Sequence, residues 1–208
     1  MELTKDVTLQ HRFVPGTGPA SSPLLLLHGT GGNEDDLLPL GRAVSPAAAL
    51  LSPRGAVLEN GMPRFFRRLG EGVFDEDDLR RRTADLVAFI AAARTRYDIP
   101  APVAVGFSNG ANIAAALLLL HPGVLAGAVL LRAMVPFRQP PAAVVPGTPV
   151  LLLSGRDDPI VPAADAARLA AQLGAAGAAV THRTLPAGHG LSQLDVETIA
   201  TWLQGRAL

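Results

Sequence analysis

The sequence predicts an α/β protein in which a mostly parallel central sheet carries helices on both faces. Two observations carry this. Short apolar runs recur along the chain, and segments of helical periodicity separate them. Strands that alternate with helices need right-handed crossovers, which set the strands parallel and bury both their faces. Hydrophobic residues make up 49% of the 208 residues and charged residues only 17%, enough apolar material to cover such a sheet.

The elements follow in order. Arg12-Phe13-Val14 reads as an edge strand. Leu24 to Leu27, ended by His28-Gly29, suits a strand buried on both faces. Asn33-Glu-Asp-Asp36 resembles a helix N-cap with an acidic first turn. Ala49 to Ser52, closed by Pro53, is the next strand. Asp77 to Tyr97 sets Leu79, Leu86, Phe89, Ile90 and Ala93 on one helical stripe. Val103 to Phe107 is a strand and Asn109 to Leu120 an Ala/Leu helix. Strands then fall at Gly127 to Leu131, Val150 to Leu153 and Val180 to Leu185. Ala163 to Leu173 is a helix with Gly177 as its terminator. Ser192-Gln-Leu-Asp195 opens a last helix, through Gln204, in a capping-box pattern. The Pro- and Gly-rich stretch from Pro136 to Pro149 reads as a loop. No linker or repeat divides the chain, so residues 1–208 are expected to form a single domain.

Composition excludes several classes of function. Eighteen basic and eighteen acidic side chains cancel, which argues against a general nucleic-acid binder. There is no Cys, hence no disulfide, no thiolate nucleophile and no Cys-bound zinc. The five His show no ligand spacing, so no metal is expected. The Gly-rich stretch at His28 to Gly32 lacks both Gly-x-Gly-x-x-Gly and a P-loop Lys, and no cofactor is expected. Met1 to Val7 alternates polar and apolar residues and has no signal-peptide pattern. Ile113 to Leu131 is apolar apart from His121, but His121-Pro122-Gly123 breaks it as a helix. A cytoplasmic protein without membrane insertion is expected.

Gly106-Phe-Ser-Asn-Gly110 lies between a strand and a helix, the setting of a nucleophile elbow. The glycines let strand and helix pass closely, and the helix dipole favours negative charge developing beside Ser108. A serine nucleophile needs a base held by a carboxylate, in the chain order Ser, acid, His. His182 falls inside a strand and reads as structural. His189, in the Pro186-Ala-Gly-His-Gly190 loop, is the better base. The acid should follow the strand at Val150, where Asp157 and Asp158 both stand. The residues alone do not choose between them. An oxyanion needs two backbone N–H donors: Asn109, after the nucleophile, and Thr30, in His28-Gly-Thr-Gly-Gly32.

Together these residues resemble the α/β-hydrolase superfamily, and more closely its small bacterial carboxylesterases of the phospholipase/carboxylesterase family. The chain is also similar to acyl-protein thioesterases and dienelactone hydrolases. The resemblance runs from Leu24 to Ser192. In that family the acid occupies the Asp-Pro position of Gly-x-x-Asp-Pro-x-Val-Pro. Gly155-Arg-Asp-Asp158-Pro-Ile-Val-Pro162 matches it, so the resemblance selects Asp158. It also implies Thr30 and Asn109 as oxyanion donors. Asn109 stands where many esterases have Gln or Met, a change the backbone donor should tolerate.

The resemblance implies a serine hydrolase that cleaves small to medium carboxylic esters through an acyl-enzyme. Thioester, lysophospholipid or lactone hydrolysis on the same residues is the neighbouring reading, and a non-catalytic ligand-binding protein is the competing class. No long insertion follows the strand at Gly127, so the cleft should lack a helical lid. Phe65, Phe66, Phe74 and Met134 are candidates to line it. Arg64, Arg67 and Arg68 could hold a carboxylate or phosphate. The plainer expectation is a solvated face paired with Glu71, Asp75, Glu76, Asp77 and Asp78. The expected partner is a small-molecule ester, and a homodimer stays open.

Overall fold

A computed structural model describes residues 9–18, 21–70, 72–139 and 147–205. The Met1 to Val7 segment, Glu71 and residues 140–146 of the predicted loop lie outside that set. Seven strands form the main sheet. They are β1 (His11–Val14), β2 (Leu24–Leu27), β3 (Leu50–Pro53), then β8 (Val103–Phe107), β9 (Gly127–Leu131), β10 (Pro149–Gly155) and β11 (Ala179–Leu185). Their spatial order is β1-β3-β2-β8-β9-β10-β11. Only β1 runs antiparallel, against β3 at the edge. This is the expected α/β-hydrolase-type architecture. Every anticipated strand is present, with bounds shifted by a residue or two.

Alternation along the buried strands divides the core. Leu25 and Leu27 point to the face covered by α2 (Glu76–Tyr97), α3 (Asn109–Leu120) and α4 (Ala163–Ala175). Leu24 and Leu26 point to the face covered by α1 (Leu38–Val44) and α5 (Gln193–Gln204). All four leucines are buried, each worth about 1.5–3 kcal/mol relative to exposure. The helix expected from Asn33 begins later, at Leu38. The Asn33 side chain instead accepts the Asp35 amide in a turn, and Pro39, with no N–H to offer, sits in the helix's first turn. The apolar stretch from Ile113 divides as expected: α3 ends at Leu120 and β9 begins at Gly127. Among the described residues, no helix is long and apolar enough to cross a membrane.

Two small hairpins were not anticipated: β4 (Val57–Glu59) with β5 (Met62–Arg64), and β6 (Arg68–Gly70) with β7 (Val73–Phe74). Asn60 and Gly61 both have positive φ, 51° and 79°, which is the two-residue turn that suits a twisted hairpin. These hairpins follow the carboxyl end of β3, on the side where ligands bind in open sheets of this kind.

Helix α3 passes so close to β2 that a Cβ at Gly110 would overlap the Leu27 carbonyl oxygen. Backbone cannot retreat as a flexible side chain can. Gly110→Ala is therefore expected to destabilise the fold by at least about 1–3 kcal/mol. Gly174→Ala in α4, where a Cβ meets nothing within 4 Å, should be neutral or stabilising by up to about 1 kcal/mol. Urea midpoints of the two variants check the contrast.

Candidate active site

Ser108 sits between β8 and α3 with φ 51° and ψ −112°. A non-glycine residue holds such a backbone only where its surroundings impose it. Here the Ser108 N–H donates to the Leu131 carbonyl, and its own carbonyl accepts the Asn112 amide. A Cβ at Gly106 would lie 2.6 Å from the Gly110 oxygen. The two glycines of the motif thus permit the turn, and the turn presents the serine hydroxyl at the end of the strand.

His189 Nε2 lies 3.1 Å from Ser108 Oγ, and His189 Nδ1 lies 2.9 Å from Asp158 Oδ2. The other Asp158 oxygen accepts the amides of Ile160 and Val161, at 2.8 and 3.0 Å. Burial pushes the Asp158 carboxyl up, but the two amides and the His189 ring outweigh it, and the carboxyl falls below its ordinary value. An ionised carboxylate only accepts hydrogen bonds. The proton of neutral His189 is therefore on Nδ1, which leaves Nε2 to accept from the Ser108 hydroxyl. Asp157 is exposed, and its amide bonds to the Ala187 carbonyl. The structure thus brings Asp158, and not Asp157, to His189.

Three further histidines take structural places. His182 Nε2 meets Ser154 Oγ at 2.8 Å, and His11 Nε2 meets the Tyr97 hydroxyl at 2.7 Å. Buried His28 accepts the Gly55 amide at Nε2, so its Nδ1 carries the proton that reaches the Gly29 carbonyl. Desolvation holds His28 below the ordinary histidine value, in keeping with a neutral ring.

A cleft of about 270 Å³ opens over Ser108 and His189, and Thr30 and Asn109 also line it. A second cavity, about 400 Å³, adjoins it and shares Gly72, Phe74 and Met134 with it. Phe74, Met134 and Arg64 line the cleft as anticipated. Phe65 and Phe66 do not. Both are buried, 4% and 0% exposed. The Phe65 ring packs 4.7 Å from His28, and Phe66 meets Phe74 edge to face. These rings support the wall from behind, because burial in the core hides more apolar area than a cleft would. Two apolar side chains of the wall were not anticipated. Phe107, the second residue of the elbow motif, packs its ring 5.3 Å from that of His189. Ile160, two residues beyond Asp158, is 48% exposed at the rim.

Asn109 does more than offer its backbone. Its side-chain oxygen accepts the Phe65 amide at 2.7 Å, and Asn112 likewise accepts the Met134 amide at 2.8 Å. Helix α3 thereby pins two wall segments beside the elbow. The arginine cluster divides. Arg67 pairs with Asp75, as the plainer expectation had it. Arg64 and Arg68 instead line the cleft and share Glu59, at 3.2 and 2.7 Å.

Arg132 is the residue the sequence did not announce. It is wholly buried, with φ 56°. Its guanidinium meets both Asp195 oxygens at 2.8 Å and donates to the carbonyls of Gly188 and Gly190. Those carbonyls flank His189. Asp195 also accepts the amide and hydroxyl of Ser192, completing the cap of α5. Burial pushes the Asp195 carboxyl up, but Arg132 and Ser192 outweigh it and hold it below its ordinary value.

Comparison with known proteins identifies the family and the fold. The phospholipase/carboxylesterase family matches residues 10–206. MhqD of Bacillus subtilis (strain 168), which bears the name of a hydrolase, is 46% identical over 196 residues, covering 93% of this chain and 97% of that one. A Bacillus cereus carboxylesterase structure is 46% identical with a TM-score of 0.93, covering 96% of this chain and 95% of that one. A Mesorhizobium loti carboxylesterase structure is 33% identical with a TM-score of 0.86, covering 89% of each chain. The chain belongs to the phospholipase/carboxylesterase family, and it is a hydrolytic enzyme of the carboxylesterase type.

Asp195→Asn should leave a buried guanidinium without its counter-charge, at a cost of about 3–5 kcal/mol. The acid response gives a second readout. The Asp195 carboxyl is depressed in the fold and returns to about 3.9 on unfolding. Its contribution is fully present above that value and lost as pH falls through the folded value. Thermal melts from pH 7 down to pH 2 should therefore fall less steeply for Asp195→Asn than for the wild type at the acid end.

Proposed function

We propose that this protein hydrolyses small to medium carboxylic esters through a serine-bound acyl intermediate. The observation that carries the reading is the hydrogen-bonded line from Ser108 through His189 to Asp158, set on an elbow backbone at the floor of an open cleft. Ser108 Oγ attacks the ester carbonyl and His189 Nε2 takes its proton. Asp158 keeps the ring in the tautomer that leaves Nε2 free and stabilises the imidazolium that results. The backbone N–H groups of Thr30 and Asn109 receive the oxyanion. Collapse of the tetrahedral intermediate breaks the bond to the alkoxide, which leaves with the His189 proton. Water, giving its proton to His189, then attacks the acyl-serine; the acyl–Oγ bond breaks, His189 returns that proton to Ser108 Oγ, and the acid is released. Relatives named as carboxylesterases support the ester as substrate class.

Substrate access supports small or medium esters. The cleft over Ser108 is about 270 Å³, room for a small or medium ester.

Ser108→Ala should reduce p-nitrophenyl butyrate hydrolysis by roughly 10⁴-fold or more, and should abolish labelling by a fluorophosphonate probe. Asp158→Asn, which favours the wrong tautomer, should lose on the order of 10³–10⁴-fold in kcat. Asp157→Asn should stay within a few-fold of wild type. Equal rates for wild type and Ser108→Ala would overturn the assignment.

A further inference from the structure

The walls of the cleft carry an imbalance of charge that ester hydrolysis itself does not require. Among the described residues lining it, Arg64 and Arg68 are the ionised side chains, and no Asp or Glu accompanies them. The rest of the wall is largely apolar: Phe74, Phe107, Met134 and Ile160. One carboxylate, Glu59, serves both guanidinium groups through their Nε atoms. Among the described residues, two cations on one anion leave a surplus positive charge at the cleft. Asp158 does not cancel it, because it stands behind His189, bonded to that ring and to two amides.

The two arginines are held differently. Arg64 is 3% exposed. Its Nη1 donates to Thr30 Oγ1 at 2.6 Å, and its Nε reaches the Phe66 carbonyl at 3.2 Å. It is a fixed charge tied to the loop beside the serine. Arg68 has a side chain 34% exposed and a bond to Glu59 through Nε. Its outer edge is the part of the pair that an incoming ligand can reach. A planar fork of N–H donors suits a carboxylate, and the surrounding apolar wall strengthens such a contact by limiting water.

We propose that Arg68, backed by Arg64, forms an anion subsite that selects esters bearing a second, free carboxylate. This rests on the hydrolase reading of the same cleft and deepens it to a substrate class. Arg68 would contact the substrate carboxylate directly. Arg64 would set the local charge and position the Thr30 loop.

The test compares kcat/KM for paired esters of similar size. Monoethyl succinate places the free carboxylate on the acyl side and butyrylglycolate on the alcohol side; ethyl butyrate is the neutral reference. One of the two anionic esters should be preferred over the reference by roughly 10–100-fold, the span of a hydrogen bond to a charged group. Arg68→Gln should bring that ratio towards one, and added salt should lower it in the wild type. Glu59→Gln removes the shared counter-charge and should raise the ratio. A merely structural cluster would show no anionic preference in the wild type, or a ratio that Arg68→Gln leaves untouched, and either result overturns the subsite. If ethyl butyrate is cleaved in a Ser108-dependent way without anionic preference, the subsite fails and the hydrolase stands. If no ester is cleaved and Ser108 resists the fluorophosphonate, the hydrolase reading fails. The subsite is then judged by binding: succinate should raise the melting temperature of the wild type more than that of Arg68→Gln, and equal shifts overturn it.

Discussion

One buried ion pair holds the candidate site in register. Arg132 and Asp195 lie 63 positions apart and are both fully buried. Burying two charges costs several kcal/mol in desolvation, and their attraction repays it only with good geometry and complete hydrogen bonding. Both conditions are met: the contact is bidentate, and the spare donors and acceptors go to Gly188, Gly190, Leu153 and Ser192. The pair connects the end of β9, the His189 loop and the first turn of α5. What it secures is position. A loop with glycines on both sides of His189 has little conformational preference of its own, and its carbonyls are anchored by a single rigid guanidinium.

The elbow applies the same logic with backbone in place of charge. Ser108 holds a positive-φ backbone, with ψ −112°, that costs about 1–3 kcal/mol for a residue with a Cβ. The packing of α3 against β2 and the bond from Ser108 N–H to the Leu131 carbonyl maintain it. Arg132, with φ 56°, is the next residue after that carbonyl. Two strained residues, on neighbouring strand ends, thus support the serine and its histidine from one side of the sheet. Asn109 and Asn112 support the opposite wall by capturing the Phe65 and Met134 amides. Ser108 and His189 thus lie on a frame that hydrogen bonds from both sides hold in place.

Much of this is legible in the amino-acid sequence. The buried strands were readable because parallel strands covered on both faces demand continuous apolar runs. The serine was readable because the elbow needs glycine at two fixed positions. His189 followed from the loop that carries it, and Asp158 from the family resemblance. The two hairpins went unread although Asn60-Gly61 signals the first of them, because their strands are only two or three residues long. An aromatic pair near a predicted site, such as Phe65 and Phe66, suits either a wall or a core. Only the position of the backbone decides which.

The chain by itself determined the class of fold, the order of the main-sheet strands and their helices, and the pairing of Ser108 with His189 as candidates, because those features depend on local periodicity and on steric rules that act within a few residues. Tertiary structure decided what depends on long-range pairing. It joined Arg132 to Asp195, split the arginine cluster between Asp75 and Glu59, and turned Phe65 and Phe66 inward. A charged or aromatic side chain has no period that marks its partner. Its role is set by which distant group the folded backbone places within reach, and by how much water remains between them.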